Sequence, residues 1–231
     1  MLAGRARPLG VMHLLSYRDA DAHGPVQRPE ALLLNAVVQV IAPKVVIEFG
    51  FFAGHSAFNF LQALDSDAKL YSYDIADTAA ETAAVAFRRF RNFKFLHKSQ
   101  AMFCPDDIDH QKIDLVFFDA VHDFELNKKT WALIQPSLAE GCLIIVHDTG
   151  TWRRADALRV YPASALNEER WLDEDEFEHQ PGERQFVNWI REEQPEYSSV
   201  HFHSLNTLRQ GLTVLQRSGP LRTRGWVGAG S

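Results

Sequence analysis

Apolar positions between residues 29 and 217 follow two alternating rhythms. Residues 29–42, PEALLLNAVVQVIA, carry them at helical spacing and run into Pro43, which predicts a helix that stops there. Five short and nearly continuous apolar bursts follow: KVVIEF (44–49), KLYSYD (69–74), FKFLH (93–97), IDLVFFD (113–119) and CLIIVHD (142–148). Helix-compatible segments near 55–65, 78–91, 101–109 and 123–138 separate or follow them, with Phe58, Leu61 and Leu64 as the core stripe of the first. Apolar strands alternating with helices predict an α/β fold, with a mostly parallel sheet covered on both faces. Residues 181–194 predict one more helix. SSVHFHSL (198–205) and GLTVLQR (211–217) then come with no helix between them, which predicts a C-terminal antiparallel hairpin and seven strands in all.

Three stretches stand outside this rhythm. Residues 1–28 read as an N-terminal arm and 218–231 as a flexible tail, leaving 29–217 as one domain. Residues 150–180 form a long excursion, acidic and carrying Trp152, Tyr161, Trp171 and Phe177. Long excursions in compact domains are usually functional or disordered. This one follows the fifth strand directly, so it is expected at the ligand-binding edge of the sheet, as a lid over the site. Trp152, Arg153 and Arg154 would then line that site, while the acidic run at 173–178 reads as solvated surface.

Composition narrows the class. A chain of 231 residues with 46% hydrophobic and 23% charged residues is enough for one substantial globular domain. A net charge of -6 disfavours a role that depends on binding nucleic acid non-specifically. No apolar run is long enough to span a bilayer, and MLAGRARPLG lacks the apolar centre of a signal peptide. Two cysteines, Cys104 and Cys142, make no disulfide framework, and the expected compartment is the cytoplasm.

Candidate chemistry begins with VVIEFGFFAGHSA, where a strand runs through Glu48 into Gly50 and Gly54 and then a helix start. Such a turn offers backbone N–H groups and the positive end of a helix to an anionic ligand. The next strand ends in Asp74, at the spacing expected of an acid that holds a ribose diol. Phe52 stands where the dinucleotide fingerprint needs its second glycine, which argues against NAD.

On these residues the chain resembles the class I S-adenosylmethionine-dependent methyltransferases. IEFGFFAGHSA is similar to the first motif of the catechol and caffeoyl-CoA O-methyltransferases, and the order of elements agrees over about residues 30–217. The resemblance implies a Rossmann-like, doubly wound sheet with S-adenosylmethionine bound by Glu48, Gly50, Phe52, Gly54, Ser56, Asp74, Ser99, Gln100 and Asp119. Within that set, Gly50 and Gly54 would wrap the methionine part, Ser56 its carboxylate and Asp74 the ribose. Ser99 and Gln100, in HKSQAM, would stand near the adenine.

The reacting end is expected in DLVFFDAVHDFELNKKTWALIQPSLAEGCLIIVHDTG, residues 114–150. Asp119 lies at the end of the fourth strand, His122 three residues on, and His147 and Asp148 at the end of the fifth. Asp119-x-x-His122 followed by a strand ending His147-Asp148-Thr149 resembles the macrocin and mycinamicin sugar O-methyltransferases and cephalosporin hydroxylase-like proteins. That resemblance implies magnesium held by Asp119 and Asp148, with His147 where a further acid would stand, and His122 as general base. It also implies a small hydroxylated acceptor, a sugar or natural-product scaffold, and a homodimer. His147 read as a strand residue alone would simply pack, and His201 and His203 share one strand face with no third ligand in view. Two other readings stay open: an accessory protein that binds the cofactor without turnover, and a nicotinamide-dependent oxidoreductase.

Overall fold

Gln27 opens the first helix by donating its backbone N–H to Glu30 Oε2 at 2.8 Å, and Pro29 suits the first turn that follows. The computed structural model describes residues 26–120, 122–150, 182–203 and 211–218 of the 231. The expected arm, lid and tail lie almost wholly outside these residues, and so do Trp152, Arg153, Arg154 and the acidic run at 173–178.

Helix α1 (Arg28–Ile41) ends at Ala42 in the left-handed conformation, one residue before Pro43. The chain then runs β1 (Val45–Phe49), α2 (His55–Ala63), β2 (Lys69–Asp74), α3 (Asp77–Ala86), β3 (Phe93–His97), β4 (Ile113–Phe118), α4 (Phe124–Ile134) and β5 (Leu138–Val146). After the excursion come α5 (Gly182–Glu193), β6 (Tyr197–His203) and β7 (Gly211–Arg217). The seven strands form one sheet in the order β3-β2-β1-β4-β5-β7-β6. Pairing is parallel from β3 through β5, while β7 pairs antiparallel with both β5 and β6. The expected sheet and its terminal hairpin are therefore present.

The helix expected over 101–109 is not formed. Two short 3-10 turns, Gln100–Met102 and Pro105–Ile108, stand in its place. Pro105 has no N–H to give a longer helix and holds Cys104 in an extended conformation. Pro136 likewise cuts the helix expected over 123–138 at Ile134, and a 3-10 turn leads into β5, which starts at Leu138 rather than at 142.

The alternation of strand residues gives the sheet two cores. On one face Val46, Leu70, Leu115, Phe117 and Ile145 pack under α1 and α2, through Leu34, Val38, Ala57 and Phe60. On the other, Ile47, Phe49, Tyr73, Val116, Phe118 and Ile144 pack against α4 and α5, through Trp131, Ile134, Phe186 and Ile190. Strand order reverses between β1 and β4, so the crevice of a doubly wound sheet opens where Phe49 and Phe118 end. Among the described residues no helix is long and apolar enough to cross a membrane.

Candidate active site

Gly50 closes β1 with φ +96°, and a Cβ placed there would meet the Asp119 carbonyl oxygen at 2.1 Å. Only a glycine lets the ends of β1 and β4 come this close, and the backbone ladder continues across them as Asp119 donates its N–H to Phe49 at 2.8 Å. Gly54 caps α2 with φ +80°, and its Cβ would meet the Phe87 ring at 2.4 Å. Having no side chain, Gly54 makes no side-chain cap bond of its own to the first turn of α2. The turn between the glycines is anchored by Phe51, which packs edge-on against Phe87 and Phe95 at 5.0 and 5.3 Å.

Asp74 braces the same turn. Its Oδ2 accepts the backbone N–H groups of Phe51 and Phe52 at 3.0 and 2.8 Å, and its Oδ1 accepts that of Ala76 at 2.9 Å. Phe52 itself has a positive φ of 47° and is 66% exposed. Ile75 and Met102 are also exposed, at 72% and 62%, so each of the first three strands is followed by a bare apolar side chain near the carboxyl edge.

Glu48 and Ser56, both expected to bind the cofactor, are bound to each other. Glu48 is fully buried on the α1/α2 face, and it accepts hydrogen bonds from the hydroxyls of Ser56 and Ser72. Burial pushes its carboxyl up to about 8 against the pull of both hydroxyls, so near neutral pH the group is largely protonated. Ser99 accepts the N–H of Ala101 at 3.3 Å. Gln100 turns inward and donates to Asn127 Oδ1 of α4 at 2.8 Å, while its own Oε1 is buried with no hydrogen-bond partner among the described residues.

The reacting-end residues do come together. Asp119, His147 and Asp148 each bring a donor atom within 4.8 Å of the others. His147 is completely buried, and it does more than pack. Its Nε2 lies 2.9 Å from Glu30 Oε2 and its Nδ1 lies 2.9 Å from Asp119 Oδ1, with Asp148 Oδ1 at 3.4 Å. Burial works against its charge, but Asp119, Asp148 and Glu30 outweigh burial and raise its pKa well above the ordinary value. The ring is therefore an imidazolium with both N–H groups given to carboxylates.

That assignment decides how the cluster fits magnesium. A hard divalent cation selects oxygen donors, and it needs a neutral nitrogen wherever a histidine does bind it. His147 offers no such nitrogen, Asp119 Oδ1 is committed to the ring, and the cavity already holds one positive charge. The set Asp119, Asp148 and His147 brings metal-binding atoms together, but with both ring nitrogens turned to carboxylates an ion would first have to displace the His147 proton.

His122 lies on the other side of Asp148. Its Nε2 is 3.8 Å from Asp148 Oδ2, and its Nδ1 is 2.6 Å from Glu183 Oε1, at the start of α5. Neither Glu30 nor Glu183 is marked by any motif of the sequence. Both are acids in the first turn of a helix, a position that ordinarily means no more than complementing the helix dipole. His201 belongs to a separate polar chain with Thr213 and Thr149.

Residues 47–149 match the family model described as a methyltransferase domain. No curated protein matches the sequence. Similar solved structures include the O-methyltransferase TomG of Streptomyces achromogenes, involved in tomaymycin synthesis and solved with S-adenosylmethionine. It is 18% identical, with 90% of this chain and 89% of that chain covered at a TM-score of 0.63. An O-methyltransferase from Bacillus cereus, bound to S-adenosylhomocysteine, is 16% identical with 90% of both chains covered and a TM-score of 0.60. The S-adenosylhomocysteine-bound methyltransferase PaMTH1 of Podospora anserina is 18% identical, with 90% and 87% covered and a TM-score of 0.64.

Proposed function

We propose that the protein is an S-adenosylmethionine-dependent O-methyltransferase of a small hydroxylated molecule, on the premise that residues 47–149 match the model of a methyltransferase domain and that its fold is shared with O-methyltransferases. The observation that carries this reading is the switch point. There the start of α2, two left-handed glycines and an acid at the tip of β2 meet at one edge of the sheet, with the Asp119 backbone against Gly50. Bare Phe52, Ile75 and Met102 support it, since apolar side chains left in water are costly at about 25 cal/mol per Å² and a purine ring would cover such surface. The buried Oε1 of Gln100, without a hydrogen-bond partner among the described residues, is an acceptor that an exocyclic adenine amine would satisfy.

Methyl transfer from a sulfonium is a direct displacement, so the protein has to align the two reactants and take one proton from the acceptor. The methyl carbon leaves sulfur as its bond to the acceptor oxygen forms. In our reading His122 receives the hydroxyl proton, since an imidazole titrates in the physiological range. No step runs through a metal. The positive charge expected of magnesium comes instead from the His147 imidazolium, which holds the Asp119 carboxylate in place. Two unpaired cysteines agree with a cytoplasmic setting.

The test is calorimetry with S-adenosylhomocysteine, with NAD as control. Micromolar binding of the first and none of the second is the expected result. Binding of NAD, or of neither, would remove the reading. Binding without methyl transfer to any hydroxylated acceptor would favour an accessory role.

A further inference from the structure

Helix α5 starts against the backbone of His122. A Cβ on Gly182 would lie 2.6 Å from both the Asp123 nitrogen and the His122 carbonyl carbon, so a larger residue would push the helix away. That approach carries Glu183 into a site where it is 2% exposed, although carboxylates are rarely buried without a partner. Its Oε1 lies 2.6 Å from His122 Nδ1, and its Oε2 is buried with no hydrogen-bond partner among the described residues. The start of the helix is further pinned by Arg184, whose Nη1 donates to the Gly150 carbonyl at 2.8 Å.

From this geometry we infer that Glu183 is a positioning residue for His122. It accepts the Nδ1 proton, fixes the ring plane and so sets the lone pair on Nε2, at the Asp148 side of the crevice. The inference rests on the proposed role of His122 as the base. A neutral imidazole carries one proton, and the hydrogen bond made by one nitrogen decides which nitrogen is left to act. An acid that orients a catalytic imidazole in this way governs the proton-transfer step and leaves cofactor binding alone. A merely structural ion pair would tie α5 to the 122–123 backbone and leave the tautomer to chance.

The measurement is long-range proton–nitrogen NMR of the full chain with S-adenosylhomocysteine, with His122→Asn used to assign the ring signals. The Nδ1–H tautomer is expected in the wild type. Glu183→Ala should give a mixture of tautomers, and Glu183→Gln, which keeps an acceptor at the same place, should restore it. With an acceptor that the wild type methylates, Glu183→Ala should lower kcat by about 10- to 100-fold, within the span of a general base's contribution. S-adenosylhomocysteine affinity should stay within about twofold. An Nε2–H tautomer in the wild type would overturn the inference, even if no variant folds. An unchanged tautomer in Glu183→Ala would overturn it equally. Failure of S-adenosylhomocysteine to bind the wild type would count against the proposed function and leave the tautomer measurement standing by itself.

Discussion

Glu30 and His147 are 117 residues apart in the chain and 2.9 Å apart in the fold. The contact ties the first turn of α1 to the end of β5, across the face of the sheet opposite α4 and α5. It also joins the start of the described chain to the reacting edge, because Asp119 takes the other nitrogen of the same ring.

Removing that ring should cost more than its volume. His147→Ala would leave Glu30 and Asp119 buried without their cation, and breaking a buried pair from one side costs about 3–5 kcal/mol. Glu30→Gln in the same background should recover part of the loss, because one of the stranded charges goes with it. Urea unfolding of the two single variants and the double variant measures this. Strictly additive losses would mean that the contact is incidental.

His147 also sets a pH dependence. Its folded pKa is raised above the unfolded value of about 6.5, so its contribution is fully present below that pH and is lost as pH rises through the folded pKa. Glu48 works in the same direction. Its folded pKa of about 8 exceeds the unfolded value of about 4.5, so its stabilisation is complete at low pH and fades as pH rises through 8. Glu48→Gln keeps the shape and removes the titration. Its thermal midpoint should overtake that of the wild type at pH 9, and equal slopes of midpoint against pH would show that Glu48 does not titrate as described.

The glycine turn should be more sensitive at Gly50 than at Gly54. Gly50→Ala drives a Cβ into the Asp119 backbone, which cannot move without unzipping β4 from β1. Gly54→Ala meets side-chain ring edges, those of Phe87 and Phe51, rather than backbone, besides about 1–2 kcal/mol of left-handed strain. Gly54→Ala is therefore expected to fold with a lowered thermal midpoint and weaker S-adenosylhomocysteine binding. Gly50→Ala should fail to fold or lose binding outright. The reverse order would disprove the role given to the Asp119 contact.

Chelation should leave the protein unchanged. Treatment with EDTA, followed by magnesium from zero to millimolar, is expected to shift neither the rate of methyl transfer nor the thermal midpoint. A magnesium-dependent rise in either would return Asp119 and Asp148 to the role of ligands and His147 to that of a spectator.

The cofactor half of the site was readable in the chain because strand, turn and helix follow one another there. Gly50, Gly54 and Asp74 lie within 25 residues and are placed by a single β-α-β step. The reacting half was readable only in part. Asp119, His122, His147 and Asp148 announce themselves as strand-end polar residues, but the acids that give the two histidines their character come from other elements, 117 and 61 residues away. No local pattern distinguishes Glu30 or Glu183 from an acid that merely sits at a helix start. The short 3-10 turns after β3 were missed for the opposite reason: apolar spacing there suggested a helix, and Pro105 overruled it.

The hydrogen bond from Arg184 to Gly150 has a consequence for how this scaffold could diversify. It joins the chain just past β5 to the first turn of α5, so the two described ends between which residues 151–181 lie in the sequence are held together by one bond. Between ends fixed in this way, doubling the number of connecting residues costs a flexible chain only about 0.6 kcal/mol in closure entropy. A change of length at this point of the sequence would therefore leave the glycine turn, the His147 cluster and the His122–Glu183 pair as they are.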